Sequence, residues 1–141
     1  MTEGDDMARK SVTVTGGAGA YRLLDEGRVA DGFWSRFVGL MGRRSLQPEK
    51  GLLIYPCTSV HTFFMRMPID VVYVNRDNHV VGVDRDLRPW RIGTLQRGVR
   101  YVIEVAAHDA GAVQPGDELT LAGWTPPRSL SQRIKALIRA S

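Results

Sequence analysis

The residue pattern predicts a mainly β fold: a compact antiparallel β barrel or sandwich carrying one internal helix and a C-terminal helix. Three observations predict it. About six short segments rich in β-branched and aromatic residues are separated by turn formers, the layout of a barrel or sandwich. No strand–helix–strand alternation runs along the chain, which argues against a doubly wound parallel sheet. Finally, 43% of the 141 residues are apolar, enough for one core in a chain of single-domain length.

Residues 1–10 are polar and expected to be disordered. They contain no apolar stretch of secretory length, and either Met1 or Met7 could be the start. Ser11 to Thr15 alternates β-branched with small polar residues and predicts a strand; Gly16, Gly17 and Gly19 predict a turn, and Tyr21 to Leu24 a second strand. Asp31 is placed to cap a helix from Gly32 to Gly42. Its apolar face would be Phe33, Phe37, Leu40 and Met41, joined by Trp34, with Gly42 as the stop.

From Gly51 onward the pattern is β. GLLIY (51–55) is a continuous apolar run, and Cys57 to Met65 reads as a strand. DVVYVN (70–75) and HVVGV (79–83) flank Arg76-Asp77-Asn78 as a hairpin. RYVIEVA (100–106) and DELTLAGW (117–124) are two more strands, the second after a Pro115-Gly116-Asp117 turn. Thr125-Pro126-Pro127 ends the domain, so the organisation expected is a tail over 1–10, a domain over 11–124 and a helical segment over 125–141. Ser129 can cap that helix, Leu130 to Ala140, whose stripe is Leu130, Ile134, Leu137 and Ile138.

The charge of +4 has a local origin. Residues 125–141 hold Arg128, Arg133, Lys135 and Arg139 and no acid, which leaves 15 basic and 15 acidic residues in the neutral remainder. A nucleic-acid ligand is therefore disfavoured, since it calls for a basic stripe across the domain itself. The C-terminal helix could lie on an anionic membrane or dock on a partner, but it is expected to pack on its own domain. One cysteine excludes an internal disulfide and suits a reducing compartment, and no run is long enough to span a bilayer; a cytoplasmic protein is expected.

Candidate chemistry is sparse. No GxSxG, P-loop, GxGxxG, HExxH or EF-hand sequence occurs. On a strand, Cys57, His61 and Met65 would share one face as soft metal donors. Residues four apart there sit about 13 Å from each other, however, so one strand cannot gather them and neither metal nor cofactor is expected. His61 with Asp70 or Glu104 is the raw material of acid–base chemistry. Residues 85–100 hold five arginines and Trp90; Arg88, Arg91 and Trp90 are candidates for binding an anion, as are Arg36 and Met65 for a ligand site. By alternation Val102, Glu104 and Ala106 share one face of their strand, and Tyr101, Ile103 and Val105 the other.

Several of these segments occur in a fixed order: Arg36, Gly39-Leu40-Met41 and Arg43; Gly51-Leu52-Leu53-Ile54; His61-Thr62-Phe63-Phe64-Met65; Pro68-Ile69-Asp70; Tyr101 to Val105; Gly116-Asp117. Over residues 28–121 the chain thus resembles the family termed domain of unknown function 192. It departs from many members in lacking their Trp-Met-Lys-Asn-Thr stretch, and the export signal that many members carry is not expected here. The resemblance implies a small β-rich fold and no established activity. Glu104 could face solvent or pair with an arginine or histidine across the sheet; the resemblance at Tyr101 to Val105 favours the paired reading, for which the carboxylate is expected to be at least partly buried and Arg36 is the foremost partner. The expected function is a non-enzymatic accessory module binding a small anionic ligand or a protein partner; the alternative is a small hydrolase or acid–base enzyme using His61 with Asp70 or Glu104.

Overall fold

Turn chemistry sets the first two hairpins. In the computed structural model, which describes residues 10–32, 35, 36, 39–128 and 130–140, strand β1 (Lys10–Gly16) turns through Gly17 and Gly19 into β2 (Tyr21–Ala30). Both glycines have positive φ, a region that costs glycine little. Strands β4 (Ile69–Asn75) and β5 (Val80–Leu87) are joined at the predicted turn, where Asn75 Oδ1 accepts from the amides of Asp77 and His79. Such Asx bonding is why Asn favours turns.

With β3 (Leu52–Ile54), β6 (Val99–Ala106) and β7 (Leu119–Ala122), these form one sheet in the order β5-β4-β6-β3-β2-β1-β7. Every pairing is antiparallel except β2 with β3. The sheet curls into a half-barrel, and its edges meet at one end. There the Leu119 amide donates to Asn78 O at 2.8 Å and the Val80 amide to Asp117 O at 2.9 Å.

Strands β3, β4 and β6 are buried on both faces. Leu53, Val72, Val74, Tyr101, Ile103 and Val105 pack into the inner core with Val12, Val14 and Leu24. Their alternating neighbours, Leu52, Ile54, Val71, Tyr73 and Val102, pack into a second cluster on the outer face, against Leu40, Val60, Met65 and Met67. Strands covered on both faces read as continuous apolar runs, which is why 51–55 and 70–75 look so in the sequence. Gly51 enters β3 beside β6, where any Cβ would collide with the Glu104 carbonyl oxygen.

Four expectations are corrected. Strand β2 runs to Ala30 rather than Leu24, because an irregularity with Glu26 at φ +50° breaks the alternation without ending the strand. Residues 57–65 are not a strand; they form a turn-rich loop with one isolated bridge, His61 to Ile92. The internal helix is shorter than 32–42. Ser35 and Arg36 are helical, but 39–42 are turns with Gly39 already at positive φ, while Phe33, Trp34 and Phe37 lie outside the described residues. Asp31 accepts from Lys10 Nζ at 2.6 Å, and the amides of residues 33 and 34, which it would cap, lie outside the described residues. Finally, helix α1 (Leu130–Ala140) buries none of its residues and its apolar stripe stays exposed, where packing on the domain is expected to cover it; its proposed cap, Ser129, lies outside the described residues. Among the described residues no helix is long and apolar enough to cross a membrane.

Removing residues 126–141 is therefore expected to leave a folded domain. Trp124 is retained and packs edge-on against Tyr55, ring centroids 5.6 Å apart. Urea melts should place the truncated chain within about 0.5 kcal/mol of the full one. A far-UV circular dichroism spectrum without strand signal would show α1 to be part of the fold.

Candidate functional site

The centre of the site follows from strand alternation in β6. Tyr101, Ile103 and Val105 point into the inner core, so Glu104 falls on the outer face, between Leu52 of β3 and Val71 of β4. It is 4% exposed. Burial pushes its carboxyl up to about 7, because a low-dielectric setting disfavours the charged form. The burial matches the sequence expectation, but the pairing does not. Among the described residues no ion pair or side-chain hydrogen bond reaches Glu104. The Arg36 guanidinium bonds instead to Gly32 O at 3.3 Å and Pro56 O at 3.1 Å.

Glu104 lines a cleft of about 70 Å³. Arg36, Cys57, Ser59 and His61 bring polar groups to it, and Leu40, Ile54, Val60 and Met65 line it with apolar surface. The structure thus brings together Arg36, His61, Met65 and Glu104. Cys57, His61 and Met65 line one cleft because their segment turns; the spacing argument that kept them apart holds only for a strand. Among the described residues no group of three or more His, Cys, Asp and Glu is placed to hold a metal. Desolvation raises the Cys57 thiol to about 11, so it is not a thiolate at neutral pH. His61 Nδ1 accepts from the Phe63 amide at 3.1 Å, which assigns the ring proton to Nε2.

The cleft wall is fixed by a residue that sequence reasoning missed. Thr62 is fully buried. Its hydroxyl donates to Arg88 O at 2.7 Å and accepts from the Arg91 amide at 2.8 Å. Its amide donates to Arg91 O, and its carbonyl accepts from the amides of Trp90 and Met65. These bonds lock the 57–65 loop to the 88–93 loop. The two loops carry an aromatic ledge beside the cleft: His61 lies 4.8 Å from Phe63, Phe63 stacks 5.8 Å from Trp90, and Phe64 lies 4.8 Å from Trp90. Trp90 is 56% exposed. The His-Thr-Phe-Phe-Met run was the available signal, but a threonine's role as a hub depends on bonds to residues 26 and more positions away.

The remaining candidates lie elsewhere. Asp70 is buried and accepts from the amides of Asp86 and Ala110, tying β5 to the turn after β6. Four of the arginines of 85–100 bond to separate partners. Arg85 bonds to Ala110 O and Val113 O, Arg88 pairs with Asp86 at 3.3 Å, Arg91 bonds to Pro89 O and Trp90 O, and Arg100 to Tyr55 and Pro127.

The chain belongs to the DUF192 family, described as an uncharacterized ACR, whose model matches residues 17–121. It is 37% identical over 102 residues to UPF0127 protein PF1050 of Pyrococcus furiosus, covering 67% of this chain and 84% of that one. It is 35% identical to a UPF0127 protein of Thermococcus sibiricus, covering 65% of this chain; this chain spans 63% of that protein's length. A solved protein of unknown function from Novosphingobium aromaticivorans shares the fold, with a TM-score of 0.67 at 24% identity over 79% of this chain and 84% of that one.

Glu104 makes stability depend on pH in a defined direction. A carboxyl at 4.5 unfolded and about 7 folded holds its proton longer in the native state. Stability is then fully present below pH 4.5 and lost as pH rises through about 7, by roughly 3 kcal/mol in all. Glu104→Gln should match wild type within about 1 kcal/mol at pH 4.5 and exceed it by about 3 kcal/mol at pH 8. Urea melts at the two pH values measure this; an equal difference at both would refute the buried, uncompensated carboxyl.

Proposed function

We propose that this DUF192 chain is a non-enzymatic binding module that takes the small anionic end of a ligand into the Glu104 cleft. One observation carries the reading. A guanidinium held by two backbone carbonyls, Arg36, and a buried carboxyl with no charge partner among the described residues, Glu104, line the same small cleft. At pH values below about 7 the Glu104 carboxyl is mostly protonated and can donate a hydrogen bond, as can His61 Nε2–H; Arg36 supplies the charge. The size supports an end group and not a whole nucleotide. A cavity of 70 Å³ falls well short of the roughly 300–1,000 Å³ that drug-sized ligands occupy. The aromatic ledge of Phe63 and Trp90 would take the rest of the ligand.

A second reading, an acid–base enzyme, is favoured by His61 and Glu104 lining one cleft, with Glu104 titrating near neutrality. Against it, no carboxylate orients His61 among the described residues, Cys57 is held as a thiol, and Asp70 is committed to two backbone amides.

The binding reading predicts that acetate, formate or phosphate raises the melting temperature more at pH 6 than at pH 8, since ionised Glu104 repels an anion. Glu104→Gln should bind at both pH values alike, and Arg36→Gln, folded by circular dichroism, should lose the shift. No shift from any of the three anions at pH 6 would sink the reading. Turnover of an ester or amide panel that Glu104→Gln abolishes would favour the enzyme.

A further inference from the structure

Helix α1 presents an apolar stripe to solvent. Leu130 is 66% and Leu137 72% exposed, and Ile134 and Ile138 are exposed beside them. At about 100° per residue these four side chains cover an arc of roughly 100°. On the same wheel Arg133 falls about 40° outside the Leu137 edge and Lys135 about 60° outside the Ile138 edge, beyond Ser131, with Arg139 on the far side. Arg128 precedes the helix, and no acid occurs from 125 to 141. An isolated helix of 11 residues is marginal in water, so a surface that covers the stripe would also stabilise the helix.

We propose that α1 docks in the plane of an anionic lipid surface. The charge arrangement selects that occupant. The stripe would enter the boundary between headgroups and acyl chains, while Arg133 and Lys135, flanking it on both sides, would extend their alkyl stems upward to the headgroup phosphates. A second copy packed stripe to stripe would bring these edge cations against like charge, which opposes association. The rest of the chain carries equal numbers of acidic and basic residues, so attraction to the surface comes from the tail alone. One short helix with four cations gives weak, reversible docking, held to the domain through Arg100 bonding to Pro127 O. This is independent of the Glu104 cleft.

Co-sedimentation of the full chain with vesicles tests it. The protein should pellet with vesicles rich in phosphatidylglycerol and not with phosphatidylcholine alone, and high salt should release it. Leu130→Ser with Leu137→Ser should abolish pelleting without moving the urea midpoint, since both side chains are exposed. Arg133→Gln and Lys135→Gln should each lower the partition coefficient about fivefold. Failure to pellet with phosphatidylglycerol vesicles, or pelleting unchanged in the leucine variant, overturns the proposal. So does self-association in vesicle-free sedimentation that the leucine variant removes, which would assign the stripe to a second copy.

Discussion

Burial of β3, β4 and β6 on both faces is the constraint on which the rest of the structure depends. A half-barrel of seven strands needs only its concave side filled. Here the convex side of the three central strands is equally apolar, with Leu52, Ile54, Val71, Tyr73 and Val102 in contact with an outer layer. Strands β1, β2, β5 and β7 flank these three, so the cover comes from the connections around residues 40, 57–67 and 88–93. Covering a sheet with loops is demanding, because loop backbone has no ladder to satisfy its amides and carbonyls. Thr62 resolves this locally: one buried residue supplies a donor amide, an acceptor carbonyl and a hydroxyl that does both, binding two loops into a single lid.

The lid is rigid enough to hold backbone that would otherwise relax. Phe64 and Trp90 sit at φ +66° and +64°, where a bulky side chain costs on the order of 1–3 kcal/mol. Each lies close to a Thr62 bond: Trp90 donates its amide to Thr62 O, and Met65, following Phe64, donates to the same carbonyl. Phe64 also accepts from the Gly42 amide through its own carbonyl, which ties in the turn after Arg36. The result is that two large aromatic rings face outward, in contact with each other, beside the cleft that Glu104 lines. Position there is set by backbone bonds rather than by burial.

How much of this the sequence discloses depends on the range of the interactions. The β4–β5 hairpin was legible because Asn75 and Asn78 act within a few residues. The extent of α1 was legible from its own periodicity. Alternation in β6 correctly separated Glu104 from Tyr101, Ile103 and Val105, yet it could only sort residues into two faces. That the second face is also buried depends on Leu40, Val60 and Met65 arriving from distant segments. The 57–65 segment misled for the same reason: its aromatic and β-branched composition suits a strand, and what bends it is Thr62 bonding to residues 88 and 91. The placement of α1 was illegible too, since an apolar stripe states that something should cover it and not what.

Glu104 is the place where local rules are most plainly broken, and that bears on its role. Buried carboxylates are ordinarily paired, because an isolated one is costly. An ionised Glu104 at neutral pH costs roughly 3 kcal/mol, against a typical total stability of about 5–15 kcal/mol. Asp70 shows the ordinary solution in the same fold, with each carboxylate oxygen accepting a backbone amide. Glu104 has no such arrangement among the described residues, and its cross-strand neighbours, Leu52 and Val71, would accommodate an aliphatic side chain. Among the described residues, packing therefore supplies no reason for an acid at this position. Glu104 also lines the cleft, where Arg36 is fixed by carbonyls that cannot neutralise it. A carboxyl raised to about 7 by burial and a guanidinium held by two carbonyls line one cleft; under the binding reading proposed above, an anion taken up there and a proton retained on Glu104 would stabilise one another.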